Sequence, residues 1–282
     1  MAKLRRETAI ISNGTTHSIL ADGYWDEQKG KLPLVIFCHG YKGFKDWGAW
    51  DLVMQTIAKA GFVAVKFNFS HNGTSLTQPM EFVDLEAFGA NTYTQEQKDL
   101  SAVIAYYQAQ PFVDETQIFL IGHSRGGGAV LLQTYYNNKV TGAISWAGVA
   151  DFKKRFPQRD NFEQWQKDGV FYSMNGRTKQ QMPHYLSFWE DFEANEQALT
   201  IQYAAQNLRK PVLIVNGTAD QAVSVKEAEL LHLWIKGSTL FILEGADHVF
   251  GARHPYEEEE LPSDLQQVVE QTIAFLKVHI TV

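Results

Sequence analysis

The chain has 282 residues, 45% of them hydrophobic, enough for one large α/β domain or two small ones with a sizeable buried core. A formal net charge of −7 argues against nucleic acid as a partner. One cysteine, Cys38, excludes an internal disulfide, and no run of 18 apolar residues offers a membrane span. Met1 to Glu7 lacks the apolar region of a signal peptide, so the expected setting is cytoplasmic, away from membranes. Cys38 lies within an apolar run, where a small buried hydrophobe is expected.

In chain order, residues 7–13 and 16–25 read as two strands joined by the hairpin signal Asn13-Gly14. Pro33 to Cys38 is apolar without alternation, as in a parallel strand covered on both faces, and it ends in His39-Gly40-Tyr41. Trp47 to Ala60 has helical apolar spacing that stops at Gly61. Phe62 to Phe69 is the next strand, running into Ser70-His71-Asn72-Gly73-Thr74. Residues 75–93 have no clear period and are expected to form a loop, whereas Glu96 to Gln108 places Leu100, Val103, Ile104 and Tyr107 on one helical face. A short buried strand, Ile118 to Ile121, meets the turn Gly122-His123-Ser124-Arg125-Gly126. The helix after it closes at Asn137-Asn138, and Gly142 to Ala147 is a further strand. Three Asn-Gly-Thr sequences, at 13, 72 and 216, read as turns.

From Asp151 to about Leu208 no strand signal is visible and aromatic residues are dense, so a helical cap inserted between two strands is expected there. Strands resume at Pro211 to Asn216 and Thr239 to Leu243, with a helix over 224–236 between them. The last helix starts at Leu261-Pro262-Ser263-Asp264, with Ser263 and Gln266 expected as a capping box. Strands alternating with helices predict an α/β fold of one domain over 1–282: a mostly parallel central sheet of about eight strands, helices on both faces, and 151–208 as the cap. In such sheets ligands bind beyond the carboxyl ends of the strands.

Gly122-His123-Ser124-Arg125-Gly126 has the pattern Gly-x-Ser-x-Gly. A serine hydroxyl is a poor nucleophile unless it is lifted clear of its neighbours and presented to a base, and a tight strand-to-helix corner flanked by small residues does this. The base and its orienting carboxylate should follow in chain order on loops just past strands. Asp220 follows the strand ending at Asn216, and His248 follows the strand ending at Leu243. Asp220 is therefore expected as the orienter and His248 as the base. Asp247, adjacent to His248, is poorly placed to orient it. Glu244 is the better rival acid and His254 the rival base.

With these residues the chain resembles an α/β-hydrolase over essentially its whole length. Gly122 to Gly127 resembles the family's nucleophile elbow, His39-Gly40 its oxyanion loop, Asp220 its acid and His248 its terminal histidine. His39-Gly40-Tyr41 together with a capped sheet resembles the small intracellular carboxylesterases, including cinnamoyl-esterase-like and dienelactone-hydrolase-like groups. One departure is Ser70-His71-Asn72-Gly73-Thr74, where many relatives carry Gly-His-Gly-x-Ser. The resemblance implies cleavage of a small-molecule carboxylic ester through an acyl-serine, with the backbone N–H groups of Tyr41 and Arg125 as the oxyanion hole and neither metal nor organic cofactor. A peptidase of the prolyl-oligopeptidase type and a non-catalytic ligand-binding relative are the alternatives, and a homodimer is compatible with the sequence. His39 is expected to pin its own loop by hydrogen bonds, and His39, His123, Trp165 and Trp189 are the candidate substrate-pocket side chains. Lys153, Lys154, Arg155 and Arg159 are expected to solvate the cap or receive an acidic group, and His71 and His184 to lie at a polar rim.

Overall fold

A computed structural model describes residues 3–280. Strands β1 (Leu4–Ile11), β2 (Ile19–Asp26) and β3 (Leu32–Cys38) precede helix α1 (Trp50–Lys59) and strand β4 (Val63–Phe67). Helices α2 (Leu85–Gly89) and α3 (Tyr93–Gln108) lead into β5 (Val113–His123), α4 (Arg125–Tyr136) and β6 (Val140–Trp146). A 3-10 turn (Lys153–Arg155), α5 (Asp160–Asp168), β7 (Val170–Met174), β8 (Gln181–Tyr185), α6 (Ser187–Ala194), α7 (Glu196–Leu199) and α8 (Ile201–Asn207) follow. Strand β9 (Val212–Gly217), α9 (Val225–Trp234), β10 (Thr239–Leu243) and α10 (Ser263–His279) complete the order.

Eight strands form one sheet in the order β1-β2-β4-β3-β5-β6-β9-β10. β2 runs antiparallel to β1 and β4, and every other neighbouring pair is parallel. The unbroken apolar run of β3 follows from burial on both faces. Leu34, Ile36 and Cys38 join the layer containing Val103 of α3 and Leu131 of α4, while Val35 and Phe37 pack with Val53 of α1 and Val268 of α10. Lys66 stands in β4 with no solvent exposure, a placement tolerable only because the carboxylates of Asp46, Asp51 and Asp22 surround its ammonium.

Four local expectations differ from the structure. Residues 75–93 contain α2, and α3 begins three residues before Glu96 because Thr92 Oγ1 accepts the Gln95 N–H as its N-cap. The 151–208 insertion is not wholly helical, since β7 and β8 pair as an antiparallel hairpin about a turn at Asn175-Gly176. Ser263 is the first residue of α10 and makes no capping bond, so the capping box does not form. Asn216 and Gly217 end β9 in the core and do not make a turn.

Candidate active site

Nucleophile geometry begins with β5. Its last residue, His123, is followed by Ser124 at φ +57°, a left-handed conformation costly for a side chain bearing a Cβ, and then directly by α4. Such a corner needs glycine on both sides. A Cβ on Gly122 would lie 2.1 Å from the Gly126 carbonyl oxygen, and one on Gly126 would lie 2.4 Å from that of Cys38. The hydroxyl is thus held at the first turn of α4, whose free N–H groups and positive dipole end face it.

The structure brings Ser124, His248 and Asp220 together. His248 Nε2 stands 3.0 Å from Ser124 Oγ, and His248 Nδ1 stands 2.8 Å from Asp220 Oδ2. The other oxygen of Asp220 accepts the N–H groups of Ala222 and Val223, both at 2.8 Å. Burial alone would raise the Asp220 carboxyl, but the bonds from His248, Val223 and Ala222 outweigh it and leave its pKa below the ordinary value. Asp247 accepts the N–H groups of Val249 and Gly251, and the rival base His254 accepts that of Gly48.

The loop after β3 closes on the nucleophile. A Cβ on Gly40 would sit 2.9 Å from that of Ser124, so only glycine lets this backbone approach. Tyr41, the next residue, and Arg125, the first of α4, line the same cavity as Ser124. His39 pins the loop from behind: its Nδ1 is 2.9 Å from the Gly40 oxygen and its Nε2 accepts the Phe69 N–H. Burial drives the His39 imidazole down to about 4, so it stays neutral.

A cavity of about 500 Å³ opens beside Ser124, with aromatic walls that include Tyr93, Phe152, Phe156, Phe171 and Phe188. Both Arg125 and Arg155 reach its lining, whereas their partners Glu96 and Glu227 lie behind it. A smaller cavity of about 170 Å³, bounded by Trp47, Trp50 and Val249, lies on the other side of Ser124 and His248. Three expected pocket residues are corrected. Trp165 is buried and outside the lining of the larger cavity, donating its indole N–H to the His184 carbonyl at 2.9 Å and facing an adjoining cavity instead. Trp189 packs against Phe156, Phe162 and Phe192 within the cap, and His39 serves its own loop, so neither lines either cavity. His123 lines only the smaller cavity. Its Nε2–H donates to the His248 carbonyl at 2.8 Å, and burial pushes its imidazole down to about 3. His184 reaches the larger cavity, while His71 packs against His17, the rings tilted by 50°, away from the site. Lys153 and Lys154 pair with Glu196 and Asp151, and Arg159 also lies outside both cavities. The Thr92 cap signal could have found Tyr93, but nothing in the sequence marked Phe152 or Phe188 above the other cap aromatics.

A family model described as the dienelactone hydrolase family matches residues 21–280. The chain belongs to that family. This dienelactone hydrolase family member is 24% identical over 119 residues to the quorum-quenching protein AidA of Acinetobacter baumannii, an alignment spanning 42% of this chain and 36% of that one. It is 23% identical over 143 residues to the uncharacterized peptidase YtmA of Bacillus subtilis, half of each chain. The match thus spans about a third to a half of the length of these curated relatives. Among solved structures, Est1E from Butyrivibrio proteoclasticus with ferulic acid bound superposes with a TM-score of 0.74 at 19% identity, covering 96% of this chain and 98% of that one. The dienelactone hydrolase from Anabaena variabilis superposes with a TM-score of 0.65 at 14% identity, covering 99% of each. These likenesses establish the α/β-hydrolase fold expected from the sequence. Among the described residues no helix is long and apolar enough to cross a membrane, and no group of three or more His, Cys, Asp or Glu is placed to hold a metal ion.

Proposed function

We propose that this family member hydrolyses carboxylic esters of small molecules through an acyl-serine intermediate. The observation that carries this is the continuous chain of contacts from the Ser124 hydroxyl through His248 to Asp220, at a left-handed corner beside an aromatic cavity. Ser124 Oγ attacks the ester carbonyl as His248 Nε2 takes its proton, and Asp220 holds the imidazole in the tautomer that leaves Nε2 free to accept. Negative charge developing on the carbonyl oxygen is received by the Tyr41 and Arg125 N–H groups. His248 then protonates the departing alcohol, and water, activated by the same imidazole, releases the acid.

Ester cleavage is favoured over aminopeptidase chemistry by the sign of the pocket. Its lining carries two guanidinium groups and no carboxylate, the wrong polarity for a free amino terminus. The bound ferulic acid of Est1E and the wide aromatic walls here support an aryl or similarly flat acyl group. The test is turnover of nitrophenyl acetate and butyrate beside aminoacyl nitroanilides. Wild type should cleave the esters preferentially, and Ser124→Ala should lose on the order of 10^4-fold in rate. Undiminished ester turnover in that variant would remove Ser124 from the mechanism, and preferential anilide cleavage would favour the peptidase reading.

A further inference from the structure

The turn that carries Tyr41 has little to hold it in shape from within. Gly43 N–H donates to the Gly40 oxygen at 3.0 Å, and Lys42 sits at φ +56°, a strained value that persists only where the surroundings enforce it. The surroundings are His39, 2.9 Å from the Gly40 oxygen, Asn72, which donates to the Gly43 carbonyl at 3.3 Å, and the cap hairpin. Tyr41's phenol oxygen lies 2.6 Å from Ser173 Oγ on β7 and 2.6 Å from His184 Nε2 on β8, and those two lie 3.2 Å apart. Lys42 Nζ donates to the Met174 carbonyl, again on β7, at 2.7 Å. Two consecutive loop side chains therefore end on the same hairpin.

We infer that β7 and β8 set the oxyanion hole, with Ser173 and His184 acting as positioning residues that fix the Tyr41 backbone N–H by gripping its phenol. This rests on the reading of Ser124 as nucleophile and adds a role for the cap beyond shaping the pocket. The phenol oxygen already engages two groups of the hairpin. The anchor is itself rigid: Phe171 stacks on the His184 ring at 4.5 Å and 14°, and Trp165 holds the His184 carbonyl from behind. On the opposite side, the Arg125 guanidinium lies 4.5 Å from the Tyr41 ring centre and is tied to Glu96 at 3.0 Å. The two residues supplying the oxyanion donors are thereby packed against each other and fixed from outside.

The decisive measurement is the rate constant for labelling Ser124 with a fluorophosphonate, whose phosphoryl oxygen uses the same two N–H groups and which requires no knowledge of the substrate. Tyr41→Phe keeps the ring over Arg125 and removes only the hydroxyl. It should label about 10-fold more slowly, short of the about 10^2 to 10^3-fold lost when an oxyanion donor is removed entirely. His184→Ala should match it, and His184→Gln, which retains an acceptor, should recover most of the rate. With nitrophenyl acetate, too short to reach the hairpin, the loss should fall on kcat with KM unchanged. Labelling of Tyr41→Phe within threefold of wild type, or a loss confined to KM, overturns the inference while leaving Ser124 as nucleophile. An unlabelled wild type overturns both.

Discussion

Asp220 divides its two oxygens between structure and chemistry, and that division makes its substitution informative. Asp220→Asn keeps one oxygen for the Ala222 and Val223 N–H groups, so the loop should hold. The amide would turn an N–H toward His248 Nδ1, favouring the tautomer with its proton on Nε2, which cannot accept from Ser124. Ester turnover should fall by roughly 10^3 to 10^4-fold with the thermal midpoint nearly unchanged. Wild-type turnover in this variant would show that Asp220 does not orient the base. Ser124, Asp220 and His248 could be picked from sequence because each follows an apolar run ending in a short polar loop, a one-dimensional signal. Side-chain type singles out Trp165 and Trp189, but type does not say which way a ring points. The burial of Trp165 and the packing of Trp189 among the cap aromatics are three-dimensional facts.

Strands β3, β5, β6 and β9 are visible because a parallel strand covered on both faces leaves a contiguous apolar run. The hairpin β7–β8 is not, since its residues alternate little and Pro183 interrupts β8, which is tolerated because a two-stranded ribbon is all edge. Its signals, Gly169 in the left-handed cap of α5 and Asn175-Gly176 at the turn, were local and easily lost among aromatics. The contact between β3 and the start of α4 makes a prediction at this scale. Gly126→Ala would force its new methyl to within 2.4 Å of the Cys38 carbonyl oxygen, with backbone on both sides and no flexible group to yield. The variant should lose about 1–3 kcal/mol in urea unfolding and most of its Ser124 labelling, because the helix must shift away from the strand. Unchanged stability and labelling would mean that this contact is looser than described. Phe188→Ala, which widens the larger cavity without touching the relay, should shift the preferred acyl group toward bulkier esters in a chain-length series. Trp189→Phe, outside the lining, should leave that series unchanged.

Across the whole molecule, three buried histidines give stability a pH dependence whose sign can be worked out. His39, His123 and His184 are pushed by burial to about 4, 3 and 3, against 6.5 for an ordinary imidazole. Between those limits the unfolded chain binds protons that the folded one refuses. The contribution is therefore complete above 6.5 and shrinks as the pH falls through 4 toward 3. At about 1.4 kcal/mol per pH unit for each ring, urea unfolding near pH 5 should show a loss on the order of 2 kcal/mol relative to pH 7 even from one of them. Equal midpoints at the two values would mean that these rings are protonated without penalty in the folded state. His123 carries one more implication, because its proton goes to the main-chain carbonyl of residue 248 and not to the ring there. Truncating His248 to alanine removes the imidazole but leaves this strut between the end of β5 and the loop beyond β10. Such a knockout should crystallise with an undisturbed backbone, suited to trapping an intact ester beside an idle serine.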